Sequence, residues 1–528
     1  MTPAMGKQSE GKPPGPDPAM LKILALAGNP PPELKAALNK AGDRVAALRP
    51  GYGLESGHPV PSLIVLTSGV QAVSVPATVD GIPVRVQPAD LDEQRLGTGV
   101  LASWRKIIAP SASVEERAAP SIGYTPPETP LAECEVNHIL CHIGPDSGWQ
   151  TLEPFLKGTE STLTVSMYDF YAPQIIDTMV EMGSGSRDFE MVLQVDKPEE
   201  RTAVGELKDA WGERFKFTPA VVSGPHRIFA NSYHTKVAVR DSKAFWLSSG
   251  NWSPHSQPVV PDGPQPTAYR LGNREWHVII GDETLAAIFE TYIKHDFEQA
   301  AAASSEESAE VMPDLFVPLS AMVEEAAAVQ PGRFDAQEFA ATGTRIKVQP
   351  LMTPDNYSDF IIPLINSAQE TLWMQYAYIR APKDQDKYMD LVNAVAGRMN
   401  AGVDVRVLMD RRNEKPADID GLIALGWKPE MMRLQTSAVH NKGILVDGQI
   451  AVVGSQNWSP DGTQFNRDAS LILHSAEIAQ YFASVFAFDW ANLVKPVSQP
   501  ETAPLIAPQG APTPSGMKRV PWNEWFQE

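Results

Sequence analysis

The feature that most restricts what this chain can fold into is a repeat held at fixed register. His440, Lys442, Asp447, Ser455 and Asn457 recur 440 − 234 = 206 positions earlier as His234, Lys236, Asp241, Ser249 and Asn251. The Trp-Ser-Pro at 252–254 returns at 458–460, and each copy continues to an Asn-Arg-acid run, Asn273-Arg274-Glu275 or Asn466-Arg467-Asp468. A repeat that keeps polar and packing positions together indicates two structurally similar halves building one site.

The register extends upstream at an offset of 353 − 144 = 209, which relates Gly144-Pro145-Asp146 to Thr353-Pro354-Asp355, Pro154 to Pro363 and Thr162-Leu163 to Thr371-Leu372. Each half is therefore expected to open with a helix and then a strand, near Leu163–Tyr168 or Leu372–Tyr376. An amphipathic helix follows, carrying Ile175, Ile176, Met179 and Val180, or Leu391, Val392, Val395 and Met399, with Gly183 or Gly402 where such helices stop. Strands Phe189–Val195 and Val403–Met409 come next, closing on Asp196 or Asp410. This β-α-β alternation predicts a mostly parallel, helix-flanked sheet. The His-x-Lys stretch adds a hairpin. Its period of two puts both side chains on one strand face, Asp241 or Asp447 marks the turn, and Ala244–Leu247 or Ile450–Val453 returns. The fold class is α/β: two similar halves, each a helix-flanked mixed sheet, plus a small N-terminal α+β module.

The halves differ mainly in one segment. Asn251 to Asn273 covers 273 − 251 = 22 positions, and Asn457 to Asn466 covers 466 − 457 = 9. The extra residues, 255–271, include His255 and Pro258–Pro266. Beside the site they read either as a lid or specificity loop or as a passive excursion.

At 528 residues there is room for two or three domains. A formal charge of 44 − 64 = −20 argues against a surface that grips nucleic acid through its phosphates. Two cysteines exclude a disulfide framework, and no apolar run reaches the ~18–20 residues of a membrane-spanning helix. Residues 1–20 read as a flexible leader. Leu21–Ala27 holds Lys22 in a short apolar run without a basic n-region or cleavage site, so no secretory signal is read and a cytoplasmic location is expected, with signal-independent export left open. Residues 21–95 form an α+β module read as a docking or assembly unit. It has a helix over Glu33–Ala41, strands over Arg44–Leu48, Ser62–Thr67 and Ile82–Gln87, and turns at Pro50-Gly51 and Asp80-Gly81. A connector (96–136) leads to the first half (137–298), an acidic linker (299–343) with a helix over Met322–Val329, the second half (344–492), and a Pro-rich tail (493–528). The tail's Trp522, Trp525 and Phe526 are expected to pack back on the body. Cys134, His138, Cys141 and His142 cluster, but their spacing matches no usual zinc pattern, so they are read as buried thiols and surface histidines.

Two His-x-Lys-x4-Asp stretches, each followed at matched distance by Ser-x-Asn and then Asn-Arg-acid, resemble the phospholipase D superfamily over roughly 137–492. There, two HKD motifs meet in one active site. The second motif fits throughout. In the first, Ser248 replaces the usual glycine before Ser249, and Glu275 stands where the other half has Asp468, keeping the carboxylate. The resemblance implies that one imidazole attacks phosphorus and forms a phosphohistidine, while the other protonates the leaving oxygen and then activates the acceptor. It gives His234 the nucleophile's role and His440 the acid–base role. Lys236, Lys442, Asn251 and Asn457 would bind the nonbridging oxygens, with hydrogen bonds added by Ser249 and Ser455. Glu275 and Asp468 would orient the imidazoles, and Asp241 and Asp447 would be structural. No metal or cofactor is called for. The expected substrate is a phosphodiester, foremost of a phospholipid, hydrolysed or transferred during transient membrane contact. The alternatives are a metal-independent nuclease of the same superfamily, which also carries Asn-Trp-Ser after its motifs, and an inactive phosphate-binding scaffold.

Overall fold

The computed structural model describes residues 18–68, 73–96, 122–261, 268–303, 314–322, 334–341, 343–384, 386–413, 415–497 and 503–526. Outside these lie most of the expected leader and connector, the centre of the 255–271 insertion, much of the acidic linker including 323–329 of its expected helix, and 498–502 of the tail. The chain divides into two compact units, Met1–Val114 with Gln499–Leu505, and Glu115–Ser498 with Ile506–Glu528.

In the first unit, helices Pro18–Gly28 and Pro32–Ala41 accompany a sheet in which Val45–Glu55, His58–Thr67, Ile82–Pro88 and Thr78–Val79 lie side by side. Its core includes Ile23, Leu34, Leu48, Leu63 and Val65. One expectation is corrected. Pro50-Gly51 makes no turn, because both residues sit inside the first strand opposite Leu63 and Ser62. The reversal falls at Ser56-Gly57, both with positive φ, the left-handed pair that a two-residue hairpin loop requires. Asp80-Gly81 turns as expected, at φ 49° and 77°.

The second unit contains an eight-stranded and a nine-stranded sheet. Seven strands of the first are, in chain order, His138–Gly144, Thr162–Met167, Asp188–Leu193, Phe215–Pro219, Lys236–Arg240, Ala244–Ser248 and Glu275–Ile280. They lie in the order first, seventh, sixth, fifth, second, third, fourth. Ile346–Thr353, Thr371–Tyr376, Asp404–Asp410, Met432–Gln435, Lys442–Val446, Ile450–Gly454 and Asp468–His474 repeat that order strand for strand. Parallel pairing is confined to the second, third and fourth strands of each set. The sheets are therefore mixed rather than mostly parallel, because the motif hairpin and the strand after it join antiparallel.

The eighth strand of each sheet is exchanged. Cys134–Val136, which precedes the first set, pairs with Ile346–Thr353, and Gln337–Ala340, which precedes the second, pairs with His138–Gly144. The 299–343 segment is thus not linker throughout. Gln299–Ala302 complete the helix Glu283–Ala302, as alanine's high helix propensity favours, and Leu315–Pro318 pairs with Met517–Val520 of the tail. The short helix Trp522–Phe526 buries Trp525 and lies against Arg411–Asn413.

Two long helices occupy corresponding places. Asp282 caps Glu283–Ala302 by accepting a hydrogen bond from Leu285 N at 2.9 Å. Ser475 caps Ala476–Asn492 by accepting one from Ile478 N at 3.4 Å. Their buried stripes, Leu285, Phe289, Tyr292 and Asp296, and Ile478, Phe482, Val485 and Asp489, follow the three-to-four spacing of a core-facing helix. One hydrophobic core runs through both sheets, joining Val237, Trp276 and Val278 to Ala451, Leu471 and Phe482. Trp276 stacks on Phe482 with centroids 4.6 Å apart and lies so close to Gly443 that a Cβ there would collide with the indole. Each fully buried apolar side chain of this kind contributes about 1.5–3 kcal/mol. Among the described residues no helix is long and apolar enough to cross a membrane.

Candidate active site

Both motifs sit where a hairpin strand begins, and the backbone of the opposite half pins each of them. His234 N donates to Arg467 O at 2.7 Å and Arg467 N to Ser232 O at 2.9 Å. In the mirror arrangement His440 N donates to Arg274 O at 3.1 Å and Arg274 N to Ala438 O at 2.8 Å. The two imidazoles, both buried, consequently face each other at a centroid distance of 6.2 Å.

The carboxylates cross between halves. His234 Nδ1 donates to Asp468 Oδ1 at 2.7 Å, whereas His440 Nδ1 lies 3.3 Å from Glu275 Oε1. Ser455 donates to Asp468 Oδ1 at 2.7 Å. Ser249, at the corresponding position, instead bonds the backbone of Trp276. Glu275 Oε1 receives its hydroxyl from Ser256, also at 2.7 Å.

Both departures of the first motif have a packing reason. A Cβ at Gly250 would overlap the Glu275 carboxylate, so the longer acid fits only because the residue there is glycine. The second half has the shorter Asp468 and can place Gln456 at that point, where it accepts from Ser470. Similarly, a Cβ at Gly454 would overlap the Ser470 hydroxyl. In the first half Ser248 replaces that glycine and hydrogen-bonds His277 Nδ1 at 2.5 Å.

Lys236 Nζ donates to His234 O at 2.5 Å, and Lys442 Nζ donates to His440 O at 2.7 Å and to Ser249 O at 3.4 Å. The Asn251 amide donates to Asp169 Oδ2 at 3.2 Å, and Asp169 pairs with Lys197 at 2.8 Å. Asn457 is buried at the mirror position. Tyr168 packs its ring 4.9 Å from that of His234 and 5.0 Å from Lys236 Nζ, whereas its counterpart in the second half is Ala377. Asp241 and Asp447 lie at the far ends of their strands, away from the histidines. The Asp241 carboxylate collects the backbone N–H groups of Glu160, Ser161 and Thr162, and that of Asp447 those of Gln369, Glu370 and Thr371. Both residues adopt positive φ.

The electrostatics separate the two histidine–carboxylate pairs. Burial, reinforced by Lys236, lowers His234 to about 4 against the pull of Asp468. Burial would raise Asp468, but His234, Lys236 and Ser455 outweigh it and hold the carboxyl below its usual range. Burial raises Glu275 to about 8, opposed by Ser256, Lys442 and Lys236. His440 is driven well below its usual value by burial, Lys442 and Lys236.

Behind the site are two buried clusters that the sequence reading did not pick out. Arg274 bonds Asp489 Oδ2 at 3.0 Å and Asp146 Oδ2 at 2.7 Å. Arg467 bonds Asp296 Oδ2 at 2.8 Å and Asp355 Oδ2 at 2.7 Å. Each arginine thus ties its own half to the long helix of the other. The signal was present: Asp296 and Asp489 are 489 − 296 = 193 apart, the spacing that also relates Arg274 to Arg467. Of the clustered thiols and histidines, Cys141 is buried, Cys134 half-buried and His138 exposed. His142 is corrected from a surface residue. It is fully buried and stacks on His277 at 4.5 Å, and burial lowers it to about 3. Among the described residues no group of three or more His, Cys, Asp or Glu is arranged to hold a metal.

Two α/β repeats with one strand order, each presenting a His-x-Lys strand to a shared centre, define the structural class. Residues 361–490 match the family described as the PLD-like domain of cardiolipin synthase. Over this segment the chain is similar to the phospholipase D superfamily, in keeping with the resemblance its two motifs carry. Its curated relatives include cardiolipin synthase A of Citrobacter koseri, 29% identical over 22% of this chain and 24% of that protein, and the probable cardiolipin synthase YwiE of Bacillus subtilis, 23% identical over 29% of each. These matches span about a quarter of the relatives' length. The crystal structure of phosphatidylserine synthase from Haemophilus influenzae aligns with 68% of this chain and 88% of its own at 12% identity, with a TM-score of 0.42.

Proposed function

We propose that this chain is a phospholipase D-type phosphodiesterase that cleaves or transfers the phosphodiester of a phospholipid through a phosphohistidine on His234. The observation that carries this reading is the pair of facing imidazoles, each set against a carboxylate from the opposite half. A nucleophile and an acid–base group of like chemistry are thereby held on opposite sides of one centre. The pairs are unequal in a way that supports the assignment. Near neutrality His234 and Asp468 together are a neutral imidazole and a carboxylate, which leaves Nε2 free to attack phosphorus. His440 and Glu275 together retain one further proton, shared between them and lost near pH 8. That proton goes to the leaving alkoxide. The same pair then takes a proton from the incoming water or alcohol, which displaces His234 from phosphorus. Lys236 and Lys442 supply positive charge for the nonbridging oxygens, with the Asn251 and Asn457 amides beside them.

The phospholipid substrate is favoured by the cardiolipin synthases among the relatives and by the acidic charge, which disfavours a nucleic-acid surface. The test is product analysis after incubating purified protein, in EDTA, with mixed phospholipid vesicles containing glycerol as an alternative acceptor, with His440→Ala as the blank. Phosphatidic acid or a phosphatidyl-glycerol adduct formed by wild type alone is the expected result. Folded protein that yields neither, yet cleaves labelled single- or double-stranded DNA, would move the assignment to a nuclease. Turnover of no phosphodiester would leave a binding scaffold.

A further inference from the structure

Ser256 bonds a motif carboxyl through a hydroxyl that has no counterpart at the matching position of the other half. It is buried, and it donates to Glu275 Oε1 at 2.7 Å, the same distance at which Ser455 donates to Asp468. By register Ser256 corresponds to Gly462 (462 − 256 = 206). The turn after Trp-Ser-Pro is alike in the two halves: Ser256 N donates to Ser253 Oγ at 3.3 Å and Gly462 N to Ser459 Oγ at 3.1 Å. In the second half a Cβ at 462 would collide with the Asn457 backbone, so no side chain fits there. In the first half the turn is anchored by His255 O, which accepts from Asn273 N at 2.8 Å, and by Gln257 N, which donates to Ser253 O at 3.0 Å. The side chain at 256 is thereby aimed at the carboxylate.

We propose that Ser256 is the positioning residue of the His440–Glu275 pair, doing from a turn what Ser455 does for His234–Asp468 from within the motif. The inference rests on the reading of His440 as the acid–base histidine. The titratable groups that face Glu275 are His440, Lys442 and Lys236, together with His277 at 4.0 Å and His142 stacked behind it. Two neutral side chains bond the carboxyl, Ser256 and Asn273, Gly250 leaves room for it, and Ser256 is the hydroxyl that holds it toward His440. Because this hydrogen bond favours the ionised carboxyl, its loss makes the pair hold its shared proton more tightly.

The test uses the full chain and the variants Ser256→Ala, Ser256→Thr and Ser455→Ala. Turnover of bis-p-nitrophenyl phosphate is followed from pH 5 to 10, and selectively 15N-labelled histidines are titrated by NMR, with His440 assigned through His440→Ala. Ser256→Ala is expected to lower kcat about tenfold at unchanged KM and to move the alkaline limb upward. It should displace the titration of His440 and not that of His234. Ser256→Thr should restore both properties, and Ser455→Ala should displace His234 instead. Ser256→Cys, close in shape with a weaker donor, gives the same readout should the alanine variant not fold. Wild-type kcat together with an unmoved His440 titration in the alanine or cysteine variant overturns the proposal. An inactive wild type would overturn the functional reading, and the histidine titrations would still decide for or against Ser256.

Discussion

In the second half the carboxylate is an aspartate that takes the hydroxyl of its own motif, and it pairs with His234 at 2.7 Å. In the first half it is a glutamate that takes a hydroxyl from the turn beyond Trp-Ser-Pro, and it stands 3.3 Å from His440. The two halves agree in strand order, helix caps, arginine clusters and motif backbone; beyond the 255–271 insertion and Tyr168, they part at the centre in the few residues around these carboxyl groups. A duplicated fold can thus keep its frame symmetric while its two histidines take unlike proton affinities. One methylene, one glycine and one relocated serine distinguish the surroundings of the two carboxyl groups.

The frame should respond symmetrically. Arg274→Met leaves the buried Asp146 and Asp489 without their cation, and Arg467→Met leaves the buried Asp296 and the partly buried Asp355, so each is expected to lose about 3–5 kcal/mol, read by denaturant unfolding. A loss in one half alone would show that the clusters are not equivalent.

The centre should respond asymmetrically. Asp468→Asn removes an ionised partner and is expected to reduce kcat by ~10²–10⁴-fold, the scale set by other carboxylate–histidine pairs. Measured with a p-nitrophenolate leaving group, which needs no acid, Glu275→Gln replaces a carboxyl that is already protonated near neutrality and is expected to cost only about tenfold. Equal losses at pH 7 would erase the distinction between the pairs.

Packing sharpens the same contrast. Gly250→Ala should destabilise by about 1–3 kcal/mol through overpacking against Glu275, and the double variant Gly250→Ala with Glu275→Asp should recover most of that loss. The mirror change Gln456→Ala meets no such clash. A calorimetric comparison of the three variants would reveal whether glycine and glutamate act as a unit.

The smallest effects belong to the turn aspartates. Backbone N–H groups outweigh burial and hold both Asp241 and Asp447 below the usual carboxylate value. Their stabilising contribution is therefore complete above about pH 4 and lost as pH falls through the lowered values. Asp241→Asn and Asp447→Asn should each flatten the acid side of a plot of melting temperature against pH, by similar amounts.

Much of this frame was legible in the sequence, since the offset of 206 fixed which residues correspond and the spacing of apolar positions indicated the main helices and strands. The crossing of His234 to Asp468 and of His440 to Glu275 was not, because an offset relates equivalent residues and says nothing about which half each one touches. The exchanged strands Cys134–Val136 and Gln337–Ala340 were hidden for the same reason. Asp296 lies near the end of the first half as read and was passed over, although its register with Asp489 tied it to the repeat. Pro50-Gly51 was misplaced because turn propensity was weighed without the strand pairing that overrides it. Ser248 and Glu275 were visible as departures from the motif. Their meaning depended on His277, which takes the Ser248 hydrogen bond, and on Gly250, whose missing side chain leaves room for the longer acid.

The central claim, that two like histidines have unlike roles, is tested most directly by trapping the covalent intermediate. His440→Ala and His234→Ala would each be mixed with a phosphodiester bearing a p-nitrophenolate leaving group, which needs no acid to depart. The reaction would be quenched in base and the phosphorylated peptide located by mass spectrometry. The adduct is expected on His234 in the His440→Ala protein, with none in the His234→Ala protein. An adduct on His440, or none in either variant of an active enzyme, would contradict the account.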